Sequence, residues 1–222
     1  MEYQVDESKV SNIIFVLWKI GSSVSYNQPK ICQQATWNQE ASTFANISTI
    51  GNRSYGVFVD INNTVYVTGT FVDQVFIWLD GQTEPSRIVH DNISAPYAIF
   101  VTKIGAIYVD AGANQKQVQQ FMKNTSYHSY AMKVDGTCAG LFVDINNTIY
   151  CSLVNYHKVI KRFSDRKATE SIIAAGNGSN MLTPYTLNQP YGIFVDLQLK
   201  LYVTDRYNDR IQVFQPGNLN VS

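Results

Sequence analysis

The sequence has little charge. Only 15% of its 222 residues are Asp, Glu, Lys or Arg, whereas soluble globular proteins usually have about 25%. Basic and acidic residues balance at 17 each, so the formal net charge is zero. A neutral chain generates no global field that would draw in nucleic acid or an anionic membrane, so we expect neither as its main partner.

The sequence also lacks a long hydrophobic run. The longest one, Ile13 to Trp18, is far shorter than the roughly 20 apolar residues that span a bilayer. We therefore expect no membrane span. Residues 1–10 carry three acidic residues and one lysine, whereas a signal peptide begins with a basic segment. This favours a core strand or an imperfect gene start over a signal peptide.

Cysteine is scarce as well. The three cysteines, Cys32, Cys138 and Cys151, permit at most one internal disulfide. Cys138 and Cys151 lie close together in the sequence and are the candidate pair. Three buried thiols are the alternative.

What the chain does have is an internal repeat. Each of four segments has a small residue, Phe two positions later, Val three positions later and Tyr ten positions later. The small residues stand 42, 42 and 52 positions apart, a period typical of solenoids and propellers. The four sets are Gly56, Phe58, Val59 and Tyr66; Ala98, Phe100, Val101 and Tyr108; Gly140, Phe142, Val143 and Tyr150; and Gly192, Phe194, Val195 and Tyr202.

Each repeat is predicted to be a four-stranded meander. Val57–Asp60 and Val65–Thr68 are the first two strands, and they flank the turn Ile61–Thr64. The predicted third strands are Val75–Trp78, Val159–Phe163 and Ile211–Phe214, and the predicted fourth strands are Ser86–Val89, Ala131–Val134 and Ser171–Ala174.

The predicted sheets are apolar on both faces. Pairing across a four-residue turn puts Val57, Val59 and Tyr66 on one face and Phe58, Val65 and Val67 on the other. A sheet with two apolar faces must be covered on both. Radial stacking of like sheets does so and leaves only short edges. The sequence therefore predicts an all-β chain, a β-propeller of four-stranded antiparallel blades.

The last repeat resembles the NHL-repeat family of β-propellers. Its segments Pro190–Asp196, Leu201–Asp205 and Asn208–Phe214 follow the family pattern Pro-x-Gly-Ile-x-Val-Asp, Ile-Tyr-Val-x-Asp and Asn-x-Arg-Ile-x-Val-Phe. The second repeat departs most, with Ala98 for Gly and Thr102 for Asp. The propeller is assigned to residues 36–222, with blade units near 56–91, 98–135, 140–175 and 192–216, after a poorly defined N-terminal segment, residues 1–35.

Residues 36–50 are interpreted as the second half of an earlier, degenerate blade. Ile47–Ile50 stands where a fourth strand is expected, and Trp37 matches the third-strand aromatics of later repeats. Ile13–Trp18 is a candidate remnant of that blade's inner strands. The last repeat has no room for a good fourth strand before the chain stops, so either the N-terminal segment completes that blade or the ring is incomplete. We favour an incomplete ring.

The resemblance implies a non-catalytic module that recognises a protein or glycan on one propeller face. Substrate recruitment in a ubiquitin-ligase assembly is an alternative. Two further alternatives are single-stranded RNA binding and an amidating-lyase-like enzyme with zinc on three histidines. The basic cluster that RNA would need is Lys158, Lys161, Arg162, Arg166 and Lys167, which also suits a solvated edge. His90, His128 and His157 fall in different parts of their repeats, so we expect no metal and no cofactor.

Two features are candidates for function. Asp60, Asp144 and Asp196 each begin a turn and suit calcium or, as we prefer, an Asx turn. The stretch from Gly176 to Gln189 lengthens the third period, and long loops on rigid scaffolds often carry function. Its candidate ligand residues are Asn177, Met181, Leu182 and Tyr185.

Asn-x-Ser/Thr sequons are numerous. They mark surface loops of secreted proteins, although Asn-Asn-Thr also favours a turn for reasons unrelated to glycosylation. We expect an extracellular or secretory location, with a cytoplasmic one as the alternative. The candidate glycosylation sites are Asn46, Asn52, Asn62, Asn92, Asn124, Asn146 and Asn177, and an eighth sequon begins at Asn220.

Overall fold

The structure is a computed structural model, which describes residue 36 and residues 38–122, 127–163 and 170–217. Contacts divide the chain into two units, Met1–Ser42 and Thr43–Ser222. All the described strands lie in the second unit.

Fifteen strands are assigned among the described residues, and they form four antiparallel sheets, or blades. Blade 1 contains β1 Val57–Val59, β2 Val65–Gly69, β3 Gln74–Trp78 and β4 Arg87–Val89. Blade 2 contains β5 Ile99–Val101, β6 Ala106–Asp110, β7 Gln117–Met122 and β8 His128–Lys133. Blade 3 contains β9 Cys138–Val143, β10 Ile149–Leu153, β11 Lys158–Arg162 and β12 Ile172–Ala175. Blade 4 contains β13 Pro190–Val195, β14 Leu201–Asp205 and β15 Arg210–Phe214.

The predicted fold class is confirmed: the chain is all-β, and its blades form a four-bladed β-propeller with little helix. The helical pieces of the described part are the one-turn helices α1, Ile47–Ile50, and α2, Gly112–Gln115, with 3-10 turns at Val154–Tyr156 and Arg206–Asn208. Each sheet is a simple meander in chain order, because short turns join successive antiparallel strands.

The turn between the first two strands is shorter than predicted. The amide of Asp60 donates to the carbonyl oxygen of Thr64 at 3.0 Å, which leaves three residues in the loop. Asn63 takes a positive φ of 56° there, as expected for a three-residue hairpin loop. Phe58 consequently pairs with Tyr66. The predicted faces were therefore wrong: a one-residue change of register moves every side chain to the other face.

A row of phenylalanines joins the blades. Ring centroids are 5.2 Å apart for Phe58 and Phe100, 4.9 Å for Phe100 and Phe142, and 5.3 Å for Phe142 and Phe194. Each ring sits on the first strand of its own blade and contacts the ring of the next blade at a steep angle. Such aromatic pairs stabilise beyond the apolar area that they bury, so this row explains the strict spacing of Phe in the sequence.

The predicted strand at Ile47–Ile50 is wrong, because these residues form α1. The side chain of Asn46 accepts a hydrogen bond from the amide of Ser48 at 2.9 Å, which caps the helix. Gly51 ends it with a φ of 72°. Ile50 packs against the core of blade 1, which contains Val67, Phe76 and Trp78. The other segments assigned to an earlier blade, Trp37 and Ile13–Trp18, lie outside the described residues.

Candidate functional site: the loop face

Two kinds of connection gather at one end of the blades. First strands begin and second strands end there, because neighbouring strands are antiparallel. We call this end the loop face. It contains the stretches that lead into the first strands, residues 51–56, 90–98, 134–137 and 176–189, and the turns between second and third strands, residues 70–73, 111–116, 154–157 and 206–209.

In blades 1, 3 and 4, a hydroxyl group on the second strand forms a hydrogen bond to the first strand near this face. It stands at the same position of the second strand each time, and it accepts a hydrogen bond from the amide of the repeat's small glycine. The pairs are Thr68 with Gly56 at 2.8 Å, Ser152 with Gly140 at 2.7 Å and Thr204 with Gly192 at 2.7 Å. Thr68 and Ser152 also donate to the carbonyl oxygens of Tyr97 and Tyr191 in the next blade. These two hydroxyls therefore join neighbouring blades.

Blade 2 has Asp110 at the hydroxyl position. Its side chain is fully buried, and neither carboxylate oxygen has a hydrogen-bond partner among the described residues. Burial raises the pKa of Asp110 to about 7, although the backbone groups of Cys138, Gly112 and Tyr97 oppose the shift. The group is thus held largely as a neutral acid below neutral pH.

Tyrosines cluster above these joints. The rings of Tyr55 and Tyr97 stack with centroids 4.1 Å apart. The hydroxyls of Tyr97 and Tyr191 are 3.1 Å apart and share a hydrogen bond. The corresponding residue of blade 3 is Ala139, so the tyrosines of blades 2 and 4 meet across it. Burial is the main cause that raises the pKa of Tyr97 above its usual range, so its hydroxyl stays protonated.

An exposed cation lies beside this cluster. The guanidinium of Arg206 is 5.0 Å from the ring centroid of Tyr191 and 5.0 Å from that of Tyr207. Two cation–π contacts hold the side chain in place. The neighbouring Asp205 pairs with Arg210 at 2.8 Å instead. Arg206 therefore presents its charge to solvent between two aromatic rings.

The long stretch from Gly176 to Gln189 is anchored to blade 4. The guanidinium of Arg210 donates to the carbonyl oxygens of Thr183 at 2.6 Å and Thr186 at 3.0 Å, and Leu187 is fully buried. The predicted ligand residues stand out from this base: Asn177, Met181, Leu182 and Tyr185 are all exposed. The loop thus holds three exposed apolar side chains on a fixed support.

The end of the loop connects to the aromatic cluster. The amide of Tyr207 donates to the carbonyl oxygen of Asn188 at 3.1 Å, and the amide of Gln189 donates to Nδ1 of His157 at 3.2 Å. The loop and the Arg206–Tyr207 turn are therefore neighbours on one face. The sequence patterns did not point to the tyrosines or to Arg206. The available signal was the Tyr that precedes the small residue in three of the four repeats.

The three turn aspartates form Asx turns, as preferred. Oδ1 of Asp144 accepts from the amides of Asn146 at 2.8 Å and Thr148 at 2.9 Å, and its Oδ2 accepts from the hydroxyl of Tyr150 at 3.1 Å. Asp60 and Asp196 repeat this pattern. Their oxygens are committed to the hairpin, which explains both the Asp and the regular spacing of Tyr within this chain.

The remaining predicted residues are dispersed. His90 lies after β4, His128 lies on β8, and His157 ends the turn after β10. Within the described ranges, no three His, Cys, Asp or Glu side chains group as metal ligands. Arg166 and Lys167 of the basic cluster lie outside those ranges, and its Lys158 is 3.6 Å from Asp135.

Cys138 and Cys151 are joined by a disulfide between β9 and β10. Cys32 and Asn124 lie outside the described residues. The other candidate glycosylation sites are all exposed: Asn46, Asn52, Asn62, Asn92, Asn146 and Asn177. No helix in the described part of the chain is both long and apolar enough to cross a membrane.

Solved structures share the fold at low sequence identity. An auxiliary nutrient binding protein from Bacteroides thetaiotaomicron has a TM-score of 0.57 and 16% identity, over 73% of this chain and 48% of that one. The computationally designed Ika4 protein has 0.55 and 10%, over 81% and 99%. A streptogramin B lyase has 0.51 and 14%, over 74% and 55%. This chain spans about half the length of the nutrient binding protein and of the lyase.

Those likenesses establish the fold alone. No protein-family model and no curated protein matches the sequence.

Proposed function

We propose that the chain is a non-catalytic binding module whose loop face recognises a protein or glycan, as the NHL-type resemblance implies. The proposal rests on one observation: the loop face holds both a fixed loop with exposed apolar side chains and an Arg–Tyr cluster. Exposed aromatic and arginine side chains are the groups that contribute most to binding interfaces. A rigid support lowers the entropy lost on binding.

The two ends of the blades differ in a way that supports this proposal. The turns at the opposite end of the blades use their aspartates internally, whereas the loop face leaves Arg206, Tyr207, Met181 and Tyr185 exposed. One similar solved protein is described as a nutrient binding protein, which fits a binding role for this face.

The test compares two sets of variants. The full chain is screened against a panel of defined oligosaccharides and a displayed peptide library. Every probe that binds is then titrated with Arg206→Ala and with the triple variant Met181→Ser, Leu182→Ser, Tyr185→Ser. Because these side chains are exposed, the fold should remain intact. We expect both variants to weaken binding at least tenfold.

The matched control is Lys103→Ala, which removes an exposed side chain from a turn at the opposite end of blade 2. It should leave affinity unchanged. A probe whose affinity falls with Lys103→Ala and not with the loop-face variants would place recognition elsewhere and contradict the proposal.

A lyase is the enzymatic alternative, since one similar structure is a streptogramin B lyase. The two functions differ in their need for a metal: an amidating-lyase-like zinc enzyme would retain stoichiometric zinc through purification. We expect less than one tenth of a zinc ion per chain by elemental analysis. A stoichiometric amount that is lost in His157→Ala would overturn the non-catalytic assignment.

We also propose passage through the secretory route. The six described sequon asparagines are all exposed, as a glycosylated asparagine must be. Expressed through a secretory system, the chain should lose apparent mass on treatment with an N-glycosidase. An unchanged mass would favour the cytoplasmic alternative.

A further inference from the structure

The joint between blades 1 and 2 and the joint between blades 3 and 4 share one construction. In each, the first strand of the later blade lies against the face of the blade before it. A methyl group placed on Gly56 would lie 2.7 Å from the carbonyl oxygen of Tyr97 and 3.2 Å from the side chain of Ile99. At Gly140 the same distances, to Tyr191 and Ile193, are 2.5 and 3.2 Å. The small residue is therefore required by the strand that covers it.

The corresponding face of blade 4 is bare. A methyl group on Gly192 would meet only Thr204, at 3.5 Å, among the described residues. On the third strand, Ile211 is 67% exposed. Its counterparts in the other blades are all 0% exposed: Val75, Val118 and Val159. Val213 of the same face is also exposed.

Hydrogen bonding shows the same gap. Thr68 and Ser152 each reach the tyrosine carbonyl of the following blade. The hydroxyl of Thr204, which is exposed, bonds to Gly192 of its own blade. Thr204 therefore occupies the position of the hydroxyls that join neighbouring blades, but its own hydroxyl bonds within blade 4.

The first strand of blade 1 is exposed and has the residues that cover the preceding blade in the other joints. Val57 is the counterpart of Ile99, and it is 68% exposed whereas Ile99 is 7% exposed. Tyr55 is the counterpart of Tyr97 and is likewise exposed. Since both surfaces are exposed, blade 1 does not cover blade 4 of its own chain.

We propose that blade 1 of a second copy of this chain covers blade 4, in a head-to-tail joint that repeats the joints within the chain. The exposed face of blade 4 and the exposed first strand of blade 1 are the two sides of this interface, and each copy carries both. Interfaces of this heterologous kind close into rings or extend. The face is apolar and the net charge of the chain is zero, so no long-range repulsion opposes contact between copies.

The joint predicts which residues of two copies meet. Val57 of one copy should lie beside Gly192 of the other, as Ile99 lies beside Gly56. We would prepare Val57→Cys and Thr204→Cys as separate full chains, each also carrying Cys32→Ser. Gly192 is left unchanged, because a β-carbon there would clash with the covering strand as it would at Gly56. Thr204 is exposed, so the variant should fold. In the joint between blades 1 and 2, the counterparts Thr68 and Ile99 lie 3.0 and 3.2 Å from the same point, the β-carbon position of Gly56, so the two thiols should be within reach of a disulfide.

The expected result is a disulfide-linked species of two chains when the two variants are mixed under mild oxidation. Each variant alone should give much less of it. The matched control replaces Val57→Cys by Lys103→Cys, at an exposed turn at the opposite end of the blades. A yield equal to that control would overturn the proposal.

Solution mass provides the second readout. Sedimentation of the native 25.0 kDa chain should show two or more copies per particle. Ile211→Lys should convert it to a monomer of unchanged circular dichroism. A native monomer would overturn the proposal. If the thiol introduced by Thr204→Cys also resists thiol reagents in that monomer, the chain covers its own blade 4.

Discussion

Two kinds of joint hold the blades together, and the main difference between them is one side chain on the second strand. Between blades 1 and 2 and between blades 3 and 4, a hydroxyl on the second strand accepts from a glycine amide and donates to the next blade. Between blades 2 and 3, the carboxyl of Asp110 occupies that place without a partner among the described residues. A Ser or Thr hydroxyl does not titrate near neutral pH, whereas the buried carboxyl does. The stability of two joints should therefore be independent of pH, and that of the third should depend on it.

The exceptional joint differs in its neighbours as well. Ala98 stands where the regular joints have a glycine, and Ala139 stands where they have a tyrosine. Tyr97 and Tyr191 then meet across Ala139. The joint that contains the buried carboxyl therefore lies beside the tyrosine cluster of the loop face.

The largest expected effect concerns the charge of Asp110. Its pKa is raised in the folded protein, from the ordinary 3.8 to about 7, and no charged side chain contributes to that shift. The folded state thus binds the proton more tightly than the unfolded state does. Stability that is fully present below pH 4 should be lost as the pH rises to 7, by an amount on the order of 4 kcal/mol.

Urea unfolding across this pH range measures the effect. Asp110→Asn should flatten the profile and leave the variant more stable than the native chain at pH 8. The matched control is Thr204→Asp in the monomeric Ile211→Lys chain, where it puts a carboxyl at the equivalent exposed position of blade 4 and should add no such dependence. An Asp110→Asn profile that runs parallel to the native one would mean that the Asp110 carboxyl contributes no such dependence.

The second effect concerns the glycine of the regular joints. Gly140→Ala should destabilise the chain by up to about 3 kcal/mol, because the new methyl group would lie 2.5 Å from the carbonyl oxygen of Tyr191. Gly192→Ala in the monomeric Ile211→Lys chain is the matched control, since its methyl group would meet Thr204 at an ordinary 3.5 Å. Equal losses in the two variants, measured by thermal unfolding, would show that interblade contact is not what requires the glycine.

The sequence predicted the repeated Gly, Phe, Val and Tyr positions, but it predicted neither the hydroxyls that join the blades nor Asp110. The Gly, Phe, Val and Tyr positions recur because every blade repeats the same packing, so the period and the strands could be found by alignment of the chain with itself. Asp110 is not visible in that way, because its consequence depends on burial by the next blade. Tyr97 and Tyr191 are 94 residues apart, and only the folded blades bring them together.

Local chemistry explains the two errors. The hairpin after β1 has a three-residue loop, because Asn63 adopts a positive φ and Asp60 closes the turn. A count of turn-like residues does not reveal this. Ile47–Ile50 matched a strand position by spacing, yet the cap supplied by Asn46 favours a helical turn there.

The smallest effect concerns the bond between the turn aspartate and the repeat tyrosine. The hydroxyl of Tyr150 donates to Asp144, which is buried by the next blade. Tyr150→Phe should cost about 1 kcal/mol, because Asp144 loses one hydrogen bond and keeps two from backbone amides. In the monomeric Ile211→Lys chain, Tyr202→Phe removes the equivalent bond to Asp196 on the uncovered face of blade 4. Water can replace that bond, so the loss should be smaller. Chemical unfolding of the two variants at pH 7, both in the Ile211→Lys chain, measures both losses. Equal losses would mean that water does not replace the bond on blade 4.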